Sequence, residues 1–146
     1  QAYDFESERF LVSLLKHEAQ HAMDMKRFPK ITPAELEYRA KLVELHYSGD
    51  LGLLQKFLSE ADESRTGDSH AAASARIRRE FAGTDQANLP SIQARARELL
   101  HAHTKELEVK YGHKKPGVTS RVTPVFCVHA ARIPALFISP AGRIRL

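Results

Sequence analysis

Cysteine is nearly absent from this 146-residue chain, occurring once as Cys127. A single cysteine excludes an internal disulfide and any zinc site built on thiolates, and this one lies in an apolar run without a nucleophile signature around it. No apolar run approaches the length of a membrane-spanning helix, and no signal peptide is recognisable. The chain opens on Gln1 rather than methionine. It reads as a fragment or processed form, and its compartment, cell envelope or cytoplasm, stays open. Glycine-rich phosphate loops and Ser-His-Asp signatures are also missing.

Acidic residues are missing from 113–146, which carries Lys114, Lys115, Arg121, Arg132, Arg143 and Arg145. The first 112 residues hold the remaining 16 basic residues and all 18 acidic ones. The basic pI therefore reflects a tail rather than a basic face, and gives no ground for a nucleic-acid partner. Arg76, Arg78, Arg79, Arg95 and Arg97 are interleaved with acids and read as solvated helix faces.

What is present is an ordinary globular composition, 42% apolar and 27% charged, read as a succession of helices. The first is expected over about Ser7–Met25, with Phe10, Leu11, Leu14 and Leu15 as its buried stripe. Thr32-Pro33-Ala34-Glu35 has the form of a capping box and starts a second helix reaching about Tyr47, with Gly49 as its stop. Further helices are expected over Asp50–Ala61 (burying Leu51, Leu54, Phe57 and Leu58), Ser69–Phe81 and Pro90–Tyr111, with Gly112 as the last cap. Residues 1–112 thus form a mainly α unit. Residues 113–146, with four prolines, read as an irregular tail.

Within the first helix lies His17-Glu18-Ala19-Gln20-His21. Two histidines four apart share one helix face, so both rings can reach one ion. Neutral imidazoles suit zinc, and the glutamate beside the first can act as general base toward metal-bound water. A third ligand is needed. Asp24 is displaced along the axis, Glu35 is used in the cap, and Glu44 lies far along the second helix. Glu37, in that helix's first turns, returns beside the first helix if the two form a hairpin. The bland reading makes Glu37 a solvated carboxylate paired with Lys41 at i+4. Donors considered for a developing oxyanion are His70, Arg76 and Tyr38.

His17, Glu18, His21 and Glu37 resemble the gluzincin metallopeptidase pattern, HExxH followed by a ligand Glu on the next helix. The segment 17–45 is similar to a bacterial family of small HExxH-containing zinc peptidases, a resemblance that spans about Phe5–Leu45. It implies a helical metallopeptidase core lacking an upstream sheet, a Zn2+ cofactor, a peptide or protein substrate, His17, His21 and Glu37 as ligands, and Glu18 as catalytic base. Where thermolysin-like enzymes often carry an acid four residues past the ligand Glu, this chain has Lys41, so any carboxylate orienting a histidine comes from Asp24 or Glu44. The alternative class is a non-catalytic helical interaction module with an accidental or vestigial HExxH.

Overall fold

The computed structural model describes residues 4–65 and 67–112. They belong to one compact unit, Gln1–Lys114, and are mainly helical, with no strand among the described residues. The tail expected over 113–146 lies outside the described residues. None of the described helices is long and apolar enough to cross a membrane.

The N-terminal helical stretch comes in three abutting pieces: α1 (Glu8–Phe10), a π-helical segment (Leu11–Lys16) and α2 (His17–Arg27). Ser7 caps it by accepting the Phe10 amide. After the Phe28–Thr32 turn comes α3 (Pro33–Tyr47), then α4 (Gly52–Glu60), α5 (Ser69–Glu80) and α6 (Leu89–Tyr111). Thr32 and Glu35 form the reciprocal capping box, with Pro33 in the first turn, so the start of α3 is fixed by local chemistry. Asp68 caps α5 by accepting the His70 and Ala71 amides, and Asn88 caps α6 through the Ser91 amide. Gly112 closes α6 at φ +72°, a conformation that side chains with a Cβ rarely adopt.

One ending and one buried face differ from the sequence reading. The last turn of α3 stops at an extended Ser48, and Gly49 takes no positive φ but presses against Glu8, whose Oε1 accepts its amide at 2.8 Å. In α4, Leu53 turns inward and Leu51 is exposed.

The N-terminal apolar stripe is the larger correction. Leu11, Leu14 and Leu15 are 40%, 41% and 53% exposed, Phe10 is half-buried, and Val12 faces inward. The π segment explains this. Its i→i+5 hydrogen bonds widen the turn, so a stripe drawn at α-helical spacing falls out of phase with the core.

The central element is α3, packed against α2, α5 and α6. Residues 38–45 are all buried, which an amphipathic surface helix does not show. Tyr38, Leu42 and Leu45 meet Leu54 and Phe57 of α4, Ile77 of α5 and Ile92 of α6 in one core. Burying each such aliphatic side chain is worth about 1.5–3 kcal/mol. Small residues Ala71, Ala73, Ser74 and Ala75 are all buried on α5, allowing close approach to its neighbours.

Candidate metal centre

The hairpin of α2 and α3 is locked by a buried ion pair. Asp24 Oδ2 accepts from Arg39 Nε at 2.7 Å and from Gln20 Nε2 at 2.7 Å. Arg39 also donates to Thr104 Oγ1 of α6 at 3.0 Å. Asp24 is thus a structural anchor, one turn past His21, and fixes the register in which α2 lies along α3.

In that register the two histidines meet two carboxylates seven residues apart, on one face of α3. His17 Nδ1 lies 2.7 Å from Glu44 Oε1. His17 Nε2 is 3.5 Å from Glu37 Oε2, and His21 Nε2 is 3.4 Å from Glu37 Oε1. The two Nε2 atoms face each other at 2.9 Å. The ligand atoms of His17, His21 and Glu37 all lie within 4.8 Å of one another and could hold a metal ion.

Tautomer follows from partners. A carboxylate accepts, so neutral His17 carries its proton on Nδ1 toward Glu44 and turns the lone pair of Nε2 toward His21 Nε2. This is the arrangement in which ligating histidines are held by carboxylates. The Glu44 hydrogen bond is the main reason the His17 pKa is raised; burial opposes it, while the Glu37 and Glu18 charges add to it. His21 has no counterpart to Glu44, for its Nδ1 is buried without a hydrogen bond. Glu37 Oε2 is likewise buried without a hydrogen bond. His70 Nδ1 lies 3.1 Å from it as an ion-pair neighbour, but off the line of a hydrogen bond. A carboxylate oxygen left this way among imidazoles is an acceptor awaiting a cation.

The Lys41 pairing does not occur. Lys41 is buried, donates to Glu60 Oε2 at 2.6 Å, and sits 4.0 Å above the Phe57 ring, while Glu37 turns to the histidines. Of the carboxylates left open to orient a histidine, Glu44 takes the place, three residues past Lys41. The i, i+7 spacing of Glu37 and Glu44 was the signal available for this.

Glu18 is exposed and makes no hydrogen bond among the described residues. A cleft of about 970 Å³ runs beside His17, lined by Phe10, Leu14, Glu44, Phe57 and His70 among others. His70, considered as an oxyanion donor, therefore stands at the site, and its reach to Glu37 was not anticipated. Tyr38 and Arg76 are engaged elsewhere. Tyr38 is buried and donates to Glu80, and Arg76 stacks on the Tyr38 ring while pairing with Glu80 and Glu106. Comparison with family models, curated proteins and solved structures returns no match for this chain.

Proposed function

We propose that this protein is a zinc-dependent hydrolase, most simply a metallopeptidase of the gluzincin type. One observation carries the reading: the spacing of the His17, His21 and Glu37 ligand atoms. A tetrahedral zinc with bonds of about 2.0–2.1 Å has ligand–ligand edges of about 3.3 Å. Here the two Nε2 atoms are 2.9 Å apart, Glu37 approaches His17 Nε2 with Oε2 at 3.5 Å and His21 Nε2 with Oε1 at 3.4 Å, and one ligand atom from each residue falls within 4.8 Å of the others. Two imidazoles and one carboxylate, with a position left for water, form a donor set suited to catalytic rather than structural zinc.

When bound, zinc supplies Lewis acidity, lowering the pKa of its water to about 7 and polarising a carbonyl. The chain supplies the rest. His17 is held in the ligating tautomer by Glu44. Glu18, adjacent in sequence to His17 and without a side-chain hydrogen bond among the described residues, accepts the proton of the attacking water and hands it to the leaving group. The cleft beside His17 gives a peptide or protein substrate access to the same point.

Metal analysis tests the reading. Protein purified without added metal is expected to hold close to one zinc per chain, and His17→Ala to lose most of it. A metal-free protein whose melting temperature is unmoved by added zinc would instead favour a helical interaction module, because an ion bound to the native state must stabilise it.

A further inference from the structure

The Glu37 carboxylate faces its two histidines almost symmetrically, with Oε1 3.4 Å from His21 Nε2 and Oε2 3.5 Å from His17 Nε2. Nothing in this pair of distances selects one oxygen as ligand. A carboxylate free to use both would occupy two coordination positions and raise the coordination number of the ion beyond four. Among the described residues, the side chain that breaks the symmetry is His70, whose Nδ1 is 3.1 Å from Oε2.

We infer that His70 is a positioning residue for Glu37: its exposed ring, with Nδ1 already 3.1 Å from Oε2, needs only a small turn to bring Nδ1–H onto that oxygen, so that the carboxylate binds the ion through the other one. The inference rests on the zinc reading above and deepens it. His70 is not itself a ligand, since its nitrogen is not among the atoms that cluster within 4.8 Å. It is well placed for the task. It occupies the first turn of α5, where Asp68 Oδ1 accepts its amide at 2.9 Å, and α5 packs on the helix that carries Glu37. Its ring is 61% exposed and lines the cleft, so removing it leaves the core untouched. Ligating carboxylates are commonly hydrogen-bonded in turn, and such outer partners set metal affinity and geometry. Glu44 does this for His17, and the inference gives His70 the same part toward Glu37.

Cobalt(II), which replaces zinc and reports coordination number in its visible spectrum, tests the inference without any substrate. Cobalt-loaded wild-type protein is expected to show the intense bands of a four-coordinate ion. His70→Ala is expected to show the weaker bands of a higher coordination number as Glu37 chelates, and to bind the metal about 10–100-fold more weakly. His70→Asn is the decisive companion. Its amide nitrogen occupies the place of Nδ1, so it should restore both spectrum and affinity. Unchanged spectrum and affinity in His70→Ala overturn the inference and leave the zinc reading standing, as does an Asn variant that behaves like Ala. Failure of the wild-type protein to bind cobalt overturns both.

Discussion

Glu18 and Glu37 are both carboxylates, and they differ in what each touches. Glu37 is half-buried with its oxygens on His17, His21 and His70. Glu18 is exposed and has no ion pair or side-chain hydrogen bond among the described residues, though its charge reaches His17. Glu18→Gln is therefore expected to keep the zinc, since all ligands remain, and to lose activity by about 10²–10⁴-fold, because an amide cannot accept the proton. Glu37→Ala is expected to lose zinc affinity itself and the thermal stabilisation that comes with it. Zinc titration monitored by melting temperature, alongside hydrolysis of a peptide library, separates the two. A Glu18→Gln protein that no longer binds zinc would mean the base and ligand assignments are exchanged. The clustering of His17, His21 and Glu37 was legible in the sequence because helix geometry constrains it: i, i+4 for the histidines, and a short Pro-containing turn that brings α3 back along α2. His70 was not legible as a partner of Glu37. Their contact joins residues 33 apart through the packing of α5 on α3, and no local spacing encodes that.

At the scale of elements, the most legible feature was the start of α3, because a capping box is made by four consecutive residues. Its Glu35 does more than cap. Burial alone would raise its pKa, but hydrogen bonds from Lys110, the Thr32 amide and hydroxyl, and Tyr111 overcome this and hold it at about 2. Glu35 thereby ties the start of α3 to the end of α6, through Lys110 Nζ at 2.8 Å and Tyr111 Oη at 3.0 Å. Glu35→Ala is expected to cost about 1–2 kcal/mol in urea unfolding, more than a cap alone, while leaving zinc content unchanged. Loss of zinc in this variant would show that α3 presents a different face to α2. The least legible feature was the π segment. Leu11, Leu14 and Leu15 satisfy an α-helical stripe, and only a change of helical pitch turns them to solvent. The π segment packs against α3, and Glu8 just before it reaches Ser48 and Gly49 beyond the end of α3; such tertiary contacts are beyond the range of a periodicity argument.

For the molecule as a whole, the core around α3 contains a histidine that stands apart from the His17–His21–Glu37 cluster. His103 is 2% exposed, packs edge-on to Tyr38 at 5.0 Å between ring centroids, and leaves Nδ1 without a hydrogen bond. Burial first, then the charges of Arg76 and Arg39, lower its pKa to about 3, against the opposing pull of Glu35. The sign of the consequence follows from linkage. Between the unfolded value near 6.5 and the folded value near 3, the unfolded chain takes up a proton that the native protein refuses, so stability falls as pH falls through that window. By pH 5 this one group is expected to cost about 2 kcal/mol relative to pH 7.5, a sizeable part of the roughly 5–15 kcal/mol that holds a domain together. His17 acts with the opposite sign in the metal-free protein. Its raised pKa adds stability below its ordinary value, and that stability is lost as pH rises through the folded value. A bare pH curve mixes the two, so the test is a difference. Urea unfolding of wild type and His103→Leu, both in chelator, should give stability gaps that shift by about 2 kcal/mol in the variant's favour between pH 7.5 and pH 5. A gap that stays constant with pH would mean that His103 is charged in the native core or reaches water, and that α6 packs less tightly on Tyr38 than the structure shows.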